Sequence, residues 1–412
     1  MFKNFNKKVV ITGIGCISPI GNNIKKMWNS LINGKIGINK IKKFNNLDLP
    51  IKIAGEIKSF NINKYLNKND SIRMDKFLHY GIAASLQAIN DSKINYEYKN
   101  LNKIGIIIGT GIGNLSIIEK TFKKIIYKNI KNINPFFISS TIINIISGYL
   151  SIKYGFTGPN LSISTSCATS TYCISTAYNM IKNNNADIVI TGGSESIITP
   201  LGISGFLSSN ILSNFKNPKN ASRPFDKNRN GFVLSEGSGI IILENYNNAL
   251  KRKSKIYSEI SGYGISNSIN HIIKPDLYGP INCIYNSLKK SKKNINEIQC
   301  INAHATSTKI GDKNETNIIK LIFKNYSYKL IVNASKSSIG HLLGASGVLE
   351  SIISILSLHY QIIPPTNNIY NQDPECDLDY CKIKYRKIKI KNILKNSFGF
   401  GGSNISIIFS KI

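Results

Sequence analysis

The residue with the clearest chemical potential in this sequence is Cys167. It follows an alternating, strand-like stretch at 161–166 and begins a helical stretch rich in Ala, Thr and Ser. A thiol at the N-terminus of a helix lies at the positive end of the helix dipole, which lowers its pKa and raises its thiolate fraction. Taken alone, however, the pattern fits an inert, buried cysteine better than a nucleophile.

Two of the five histidines lie in short polar stretches directly after strand-like runs. His304 lies in residues 301–308, and His341 follows Lys336 by five residues. A lone histidine is usually structural, but a cysteine at a strand-to-helix turn together with two such histidines is typical of a nucleophile with hydrogen-bond donors. The thiolate would accept an acyl group, and two neutral imidazole N–H groups would hold a developing enolate oxygen. Lys336 would orient a histidine or bias its protonation state.

Two glycine-rich stretches could bring backbone close to a ligand. Residues 396–404 place two Phe among three Gly before the last strand-like run, although a tight turn with core aromatics fits them as well. Residues 105–114 resemble a phosphate-binding loop. The sixth position of the G-x-G-x-x-G pattern is Asn114, so we do not expect dinucleotide binding.

Strand-like apolar runs alternate with longer helical patterns, which predicts an α/β protein with largely buried sheets. We predict strands at residues 9–13, 104–109, 188–191, 239–244, 256–260, 298–302, 330–333 and 405–409. We predict helices at residues 74–91, 141–154, 167–182, 311–323 and 344–360.

The two halves of the sequence resemble each other weakly. Each half has a strand followed by small residues that open a helix, at 163–170 and at 333–341. This similarity favours a duplicated α/β unit. The polar, basic run at 247–255 marks the predicted boundary between an N-terminal half, residues 1–250, that carries the cysteine and a C-terminal half, residues 251–412, that carries the two histidines.

The composition limits the classes of function. The 412 residues are 42% hydrophobic and contain 53 Lys+Arg against 22 Asp+Glu, a net charge of +31. Lys is scattered beside Asn, and the abundance of Ile, Lys and Asn indicates an AT-rich genome better than a nucleic-acid interface, for which there is no binding motif. An acidic partner stays open, because a field of this sign would speed encounter with it.

The cysteines and the apolar runs bear on the compartment. Seven scattered cysteines without a Cys-x-x-Cys pair indicate reduced thiols in a cytoplasm, and no histidine lies near Cys376 and Cys381 to complete a metal site. The apolar runs are interrupted before the roughly 18 residues that a membrane span needs. Lys7-Lys8 leads directly into the first strand, so we expect no cleavable targeting peptide.

Ordered motifs from end to end identify a family. They include Ala221-Ser-Arg-Pro-Phe-Asp226 and Asn396-Ser-Phe-Gly-Phe-Gly-Gly402, together with residues 10–19, 134–137, 199–202, 226–236, 302–312, 336–344 and 376–379. The sequence resembles the β-ketoacyl-acyl-carrier-protein synthases of the thiolase superfamily, most closely the synthase II type. The resemblance implies a thiolase-like duplicated fold, a five-layer αβαβα sandwich that is usually a homodimer.

The resemblance also implies a Cys-His-His site. Cys167 would be the acyl-accepting nucleophile, and His304 and His341 would promote decarboxylation of a malonyl thioester and stabilise the enolate. Lys336 would support the histidines. The backbone N–H groups of Cys167 and Phe400 would form the oxyanion hole, and Phe400 would also gate the acyl pocket.

Further residues match supporting positions of the family. Thr306 and Thr308 would bind the pantetheine arm of the substrate, and Ile108 would line the acyl tunnel. Glu315 and Glu350 would brace the site. The resemblance implies no cofactor and no metal, because the pantetheine arm arrives on the acyl carrier protein.

The implied reaction is the condensation of an acyl chain with malonyl carrier protein, which lengthens the chain by two carbons. The expected partner is acyl carrier protein in its acyl and malonyl forms, with Lys68, Arg73, Lys128 and Lys131 as candidate contacts. We expect neither nucleic-acid binding nor membrane insertion.

Some residues depart from the family pattern. Ala305 replaces a usual Gly after the first histidine, and Ser166-Cys-Ala-Thr-Ser170 is closer to the synthase I type. Synthase I chain-length or unsaturated specificity is therefore an alternative. A catalytically silent partner subunit is a further one, although such subunits lose the nucleophile that Cys167 supplies here.

Overall fold

The computed structural model describes residues 7–44, 49–94, 100–127 and 130–412. Its strands are β1 Val9–Ile17, β2 Asn39–Lys40, β3 Ile53–Ala54, β4 Ile104–Gly109, β5 Asn160–Leu161, β6 Ile188–Glu195, β7 Gly237–Asn245, β8 Ser258–Asn267, β9 Cys300–Asn302, β10 Ile331–Asn333, β11 Ile362–Ile363, β12 Arg386–Lys387, β13 Asn392–Phe398 and β14 Ser403–Ser410. Its α-helices are α1 Ile24–Ile32, α2 Lys68–Arg73, α3 Lys76–Ser92, α4 Leu115–Ile126, α5 Phe137–Thr141, α6 Ile145–Tyr154, α7 Thr169–Lys182, α8 Pro200–Leu207, α9 Tyr246–Lys251, α10 Tyr278–Ser291, α11 Lys309–Phe323, α12 Lys336–Ile339 and α13 Ser346–Tyr360.

The large sheet consists of two five-stranded units with the same pattern of strand directions. In the first unit, in the order β5-β4-β6-β7-β1, the first three strands are parallel and the last two are antiparallel to their neighbours. The second unit, β10-β9-β13-β14-β8, repeats this pattern. A short pairing of β1 with β8 joins the two units at one edge. The predicted duplication is therefore present in the topology.

The helices form three layers around the two units. Helices α7 and α13 pack against each other and contact strands of both units, so they form the middle layer. On the outer face of the first unit lie α3 and α6, and α10 packs on the outer face of the second with α11 beside it. The layers thus alternate in the order αβαβα that the resemblance implied.

The central strands are continuous apolar runs because their successive side chains pack in two different cores. In β4, Ile106 and Ile108 pack in the outer core beneath α3 and α6, whereas Ile107 packs in the central core against α7 and α13. In β7, Ile240 and Ile242 face outwards in the same way, and the intervening residues face the centre. Because both faces of these strands are buried, polar residues cannot alternate with apolar ones.

All eight predicted strands and all five predicted helices are present, with shifted ends. The helix predicted at 141–154 begins only at Ile145, because Ile142 has an extended backbone that separates α5 from α6. The predicted loop at 396–404 is partly wrong, since its first three residues belong to β13 and its last two to β14. The predicted boundary after residue 250 lies near the end of α9 and stays a prediction.

One helical stretch of the described chain, Leu343–Tyr360, is long and apolar enough to cross a membrane by length and composition. It contains α13, and 89% of it is buried inside the protein. A helix that is apolar on all sides is expected where both of its faces meet a sheet, so the packing of the middle layer accounts for its composition.

The close contact of α7 with α13 can be tested at Gly347. A Cβ atom there would lie 2.1 Å from Oγ1 of Thr171 and 3.0 Å from Oγ of Ser170. We expect Gly347→Ala to lower the free energy of unfolding by about 1–3 kcal/mol, as overpacking does in tight cores. Urea unfolding monitored by circular dichroism measures the change.

Gly148 in α6 is the matched control, because no atom lies within 4 Å of a Cβ placed there. We expect Gly148→Ala to leave stability unchanged or to raise it by up to about 1 kcal/mol, since Ala has the higher helix propensity. Equal midpoints for the two variants would contradict the tight contact between the helices.

Candidate active site

A cavity of about 540 Å³ opens between the two halves of the fold. Its lining includes seven of the residues selected from the sequence, namely Cys167, His304, Thr306, Thr308, Glu315, His341 and Phe400. Ile108 is not one of the lining residues; it is buried in β4 beneath the outer helices, so its predicted role in an acyl tunnel stays a prediction.

Cys167 lies in a sharp turn that precedes α7. A 3₁₀ turn over Ser166–Ala168 leads into the helix, and Ser166 has a φ of 51°, in the left-handed region that non-glycine residues rarely adopt. The hydroxyl of Thr169 donates to the carbonyl of Ser166 and accepts the N–H of Thr165, which fixes the turn. The thiol is thereby directed into the cavity while it stays nearly buried.

The prediction of a lowered pKa for this thiol is wrong. Burial raises the pKa of Cys167 to about 12, although the charge of Lys336 and the backbone N–H groups of Phe400 and Cys167 act to lower it. Few N–H groups reach the sulfur, whereas it has lost nearly all of its water, so desolvation outweighs the favourable dipoles. The resting side chain is a thiol.

His341 is the direct partner of the thiol. Its Nε2 lies 3.1 Å from Sγ of Cys167, and its Nδ1 lies 2.9 Å from Oγ of Ser346. The Ser346 hydroxyl also accepts the N–H of Leu342. Because a hydroxyl can both donate and accept, it can satisfy Nδ1 in either tautomer of the ring.

The backbone of His341 is fixed by a short bridge to the segment before β7. Its N–H donates to the carbonyl of Val233 at 2.8 Å, and its carbonyl accepts the N–H of Ser235 at 2.9 Å. The ring of Phe232 packs edge-on at 5.1 Å from the imidazole. Backbone pairing and ring packing together leave the imidazole little freedom to turn away from the sulfur.

His304 follows β9 and is held by Glu315 of α11. The carboxylate accepts the backbone N–H groups of His304 and Ala305 at 2.9 and 2.8 Å, and the side-chain amide of Asn396 at 3.0 Å. The His304 ring lies 5.6 Å from that of His341 and nearly perpendicular to it. Burial raises the pKa of Glu315 against these three donors.

Lys336 connects His304 to Glu350. Its Nζ donates to the backbone carbonyl of His304 at 2.6 Å, lies 3.5 Å from Nδ1 of the same residue, and forms an ion pair with the Glu350 carboxylate. Both side chains are fully buried. Lys336 therefore contacts one of the two histidines that it was expected to support, and Glu350 is connected to His304 through Lys336.

Both histidines are uncharged near neutral pH. Burial lowers the pKa of His304 and of His341 well below 6.5, and the charges of Lys336 and Lys395 lower both values further. Neutral imidazoles can donate one N–H each into the cavity without carrying a charge. This is the state that stabilisation of an enolate oxygen requires.

The two threonines of the cavity wall lie in a loop braced by Arg229. Their hydroxyls are 3.2 Å apart, and the Arg229 guanidinium donates to the carbonyls of Thr308 and Lys309. The residue is buried and forms ion pairs with Asp312 and Asp373. Arg229 had no assigned role in the sequence, where only its place within the motif 226–236 singled it out.

Phe400 begins the glycine-rich turn between β13 and β14. A Cβ at Gly399 would lie 2.9 Å from the carbonyl of Thr165 and 3.4 Å from the N atom of Cys167. Only glycine therefore permits this close approach to the turn that carries Cys167. Gly401 has a φ of 77° and donates its N–H to the carbonyl of Ile272, which also lines the cavity. The backbone N–H of Phe400 is thereby directed at the sulfur.

The sequence matches the family "Beta-ketoacyl synthase, N-terminal domain" over residues 6–249 and "Beta-ketoacyl synthase, C-terminal domain" over residues 257–370. The chain belongs to the beta-ketoacyl synthase family. The resemblance inferred from the motifs is confirmed. Among the described residues of this synthase-family chain, no three His, Cys, Asp or Glu side chains are grouped so that they could hold a metal ion.

Relatives of the synthase family match the chain over nearly its full length. The 3-oxoacyl-(acyl-carrier-protein) synthase 2 of Synechocystis sp. is 42% identical over 409 residues, 98% of each chain. The protein of the same name from Coxiella burnetii is 41% identical over 409 residues, 98% of this chain and 99% of its own.

Solved synthase structures confirm the fold class. A beta-ketoacyl synthase from Burkholderia phymatum has a TM-score of 0.91 at 25% identity, covering 98% of this chain and 100% of its own. A structure of a type II PKS acyl-carrier protein in complex with its ketosynthase has a TM-score of 0.92 at 29% identity, with the same coverage.

The contact of Ser346 with His341 predicts the reactivity of the thiol. In Ser346→Ala, Nδ1 loses its hydrogen-bond partner, so the imidazole is a weaker acceptor for the thiol proton. We expect alkylation of Cys167 by iodoacetamide at pH 7.5 to slow about tenfold, the effect of ~1.4 kcal/mol from one hydrogen bond to a charged group. Peptide mass spectrometry measures the rate at this cysteine.

Ser351→Ala is the matched control for this rate. Ser351 is also a buried serine of α13, but its hydroxyl donates to the carbonyl of Gly347 and does not reach the histidine. An equal rate for the two variants would show that Ser346 does not orient His341.

Proposed function

We propose that this protein is a 3-oxoacyl-acyl-carrier-protein synthase of type 2, a condensing acyltransferase of fatty acid biosynthesis. The contact that carries the proposal is the 3.1 Å distance from Nε2 of His341 to Sγ of Cys167, with the neutral His304 ring facing the same space. The name shared by the relatives supports the type 2 assignment over the synthase I alternative. The presence of the nucleophile and both histidines argues against a silent partner subunit.

The first half-reaction transfers the acyl chain to Cys167. Sγ attacks the carbonyl carbon of the acyl thioester while His341 takes the thiol proton on Nε2, with Nδ1–H donating to Ser346. The N–H groups of Phe400 and Cys167 stabilise the oxyanion. The C–S bond of the incoming thioester then breaks, and the pantetheine thiolate leaves with the Nε2 proton of His341. Before the second half-reaction the ring exchanges its Nδ1 proton for one on Nε2, and Nδ1 then accepts the Ser346 hydroxyl.

The second half-reaction uses the histidines as hydrogen-bond donors. The malonyl thioester loses carbon dioxide, and the electrons of the broken C–C bond pass into an enolate whose oxygen is held by the N–H groups of His304 and His341. The enolate carbon attacks the acyl carbonyl on Cys167. The C–S bond to the enzyme breaks, and the released thiolate regains a proton from solvent.

The proposed substrates arrive on acyl carrier protein, so the proposal includes no resident cofactor and no metal. The pantetheine arm that the carrier brings would pass Thr306 and Thr308 on the cavity wall. Lys68, Arg73 and Lys131 have exposed side chains and stay candidate contacts; Lys128 lies outside the described residues. The complex of a related ketosynthase with its acyl-carrier protein supports this partner.

A homodimer is part of the proposal. Ile118, Phe122, Ile125 and Ile126 form an exposed apolar stripe on α4, and monomeric proteins rarely expose large contiguous apolar patches. The short strand β5, at the end of the first sheet unit, also has an open edge with exposed side chains. A cytoplasmic location is likewise proposed, and the free state of all seven cysteines supports it.

Acylation of the thiol tests the proposed function. We expect the intact protein to gain the mass of one acyl group after incubation with acyl carrier proteins of graded chain length, and Cys167→Ala to gain none. Addition of malonyl carrier protein should then release the acyl mass as a product two carbons longer. The absence of a mass gain with every chain length would refute the proposed function.

The apolar stripe predicts the oligomeric state. We expect the wild-type protein to sediment at twice the mass of one chain, and Phe122→Glu to sediment at the chain mass of 45.7 kDa, because a carboxylate would be buried in the contact. Leu250→Glu places the same charge at another exposed apolar position, on α9, and should remain dimeric. A dimeric Phe122→Glu variant would exclude α4 from the interface.

A further inference from the structure

Lys395, in the middle of β13, is a second buried lysine beside the condensing centre. Its side chain is 0% exposed, and lysine is almost never fully buried unless it is paired. The two residues before it, Ile393 and Leu394, pack in two different apolar cores. A charge at this position costs desolvation energy, so its contacts need an explanation.

The contacts of Lys395 converge on Glu350. Its Nζ lies 3.3 Å from Oε2 of Glu350, donates to Oγ1 of Thr171 at 3.1 Å, and hydrogen-bonds to the hydroxyl of Ser397. The other oxygen of Glu350, Oε1, is paired with Lys336. One carboxylate of α13 is therefore held between two lysines, which come from β13 and from α12.

This arrangement connects Lys395 to the reacting groups. Lys336, on the far side of the carboxylate, holds the backbone carbonyl of His304 and lies 3.5 Å from its Nδ1. If Lys395 were removed, Oε2 of Glu350 would lose its only ion pair among the described residues, and Lys336 alone would hold the carboxylate, through Oε1. The position of the Lys336 ammonium against His304 therefore depends on Lys395, because Glu350 contacts both lysines.

The charge of Lys395 also acts on the two imidazoles. It lowers the pKa of His304 and of His341, in the same direction as burial and Lys336. The other charged or titratable groups that act on Lys395 come from three neighbouring helices: Glu350 of α13, Lys336 of α12 and Glu315 of α11. Burial lowers the pKa of Lys395 to about 8 and Glu350 opposes this, so it is mainly protonated at pH 7.

We propose that Lys395 is a positioning residue of the condensing centre, an inference that rests on the proposed function. It clamps Glu350 from the side opposite Lys336, which fixes the Lys336 ammonium against His304. Its positive charge disfavours protonation of His304 and His341, so that both remain N–H donors in mildly acidic conditions. It touches no substrate and takes no part in acyl transfer to Cys167.

Decarboxylation of malonyl carrier protein, measured as carbon dioxide release across pH 5–8, tests the inference. In Lys395→Met, we expect kcat at pH 7 to fall about tenfold, as for the loss of one charged hydrogen bond, with KM unchanged. The rate requires neutral histidines and is lost as pH falls through their pKa. Because the variant removes a positive charge that lowers this pKa, the acid limb should move to higher pH by about half to one unit.

Two further variants separate charge from position. Lys395→Gln keeps a hydrogen-bond donor without the charge, so we expect the same shift of the acid limb with a smaller loss of kcat. If Lys395→Met does not fold, the pH at which the rate of Lys395→Gln falls tests the inference on its own. Lys391→Met removes one lysine charge from an exposed position just before β13 and should match the wild type.

The two half-reactions distinguish failure of this inference from failure of the proposed function. Acylation of Cys167 should still reach one acyl group per chain in the Lys395 variants, since no group that reacts in acyl transfer is removed. Wild-type kcat and an unmoved acid limb in a folded, acylated variant would refute the positioning role and leave the proposed function intact. A wild-type protein that neither takes up an acyl group nor releases carbon dioxide would refute the proposed function, and the inference with it.

Discussion

The site depends on the close approach of two buried helices at the centre of the protein. The hydroxyl of Ser170 in the first turn of α7 accepts the backbone N–H of Val348 in the first turn of α13 at 2.9 Å, and Gly347 allows this contact. Cys167 lies directly before α7, and His341 lies five residues before α13. The two helices come from different halves of the fold, so their contact places Cys167 of one half beside His341 of the other. If α7 and α13 were separated, Cys167 and His341 would lie in two polar turns that do not contact each other.

A second constraint is charge compensation in a buried region. Glu315 and Glu350 are matched there by Lys336 and Lys395, and all four side chains are almost fully buried. An unpaired charge in such a place costs several kcal/mol, which explains why the carboxylates are surrounded by ammonium groups or by backbone N–H donors. The two lysines also act on the imidazoles, because their charges lower the pKa of His304 and of His341. The same charges that stabilise one another therefore hold the histidines in the uncharged form.

The sequence was sufficient for the framework and for the principal site residues. Runs such as 104–109 and 239–244 are apolar because both faces of their strands are buried, and periodicity detects that condition well. Cys167, His304 and His341 stand out because polar residues follow strands at the same edge of the sheets. Ser346, Arg229 and Lys395 could not be found in this way, since their roles arise from contacts between residues far apart in the chain. The prediction of a lowered pKa for Cys167 failed for the same reason. Local sequence shows that a helix starts there, but it does not show the burial that outweighs the effect of the helix dipole.

The burial that raises the pKa of the thiol also serves the proposed chemistry, which needs water to be kept away from the reacting atoms. Water in the cavity would protonate the enolate carbon before it met the acyl group, and it would hydrolyse the thioester on the enzyme. Excluding water removes both side reactions, but it also removes the solvation that would stabilise a free thiolate. The thiol must then lose its proton during attack, to a base already within hydrogen-bond distance, and Nε2 of His341 is at that distance. A buried, protonated cysteine beside a neutral histidine is thus the resting state expected of a site that protects a carbanion.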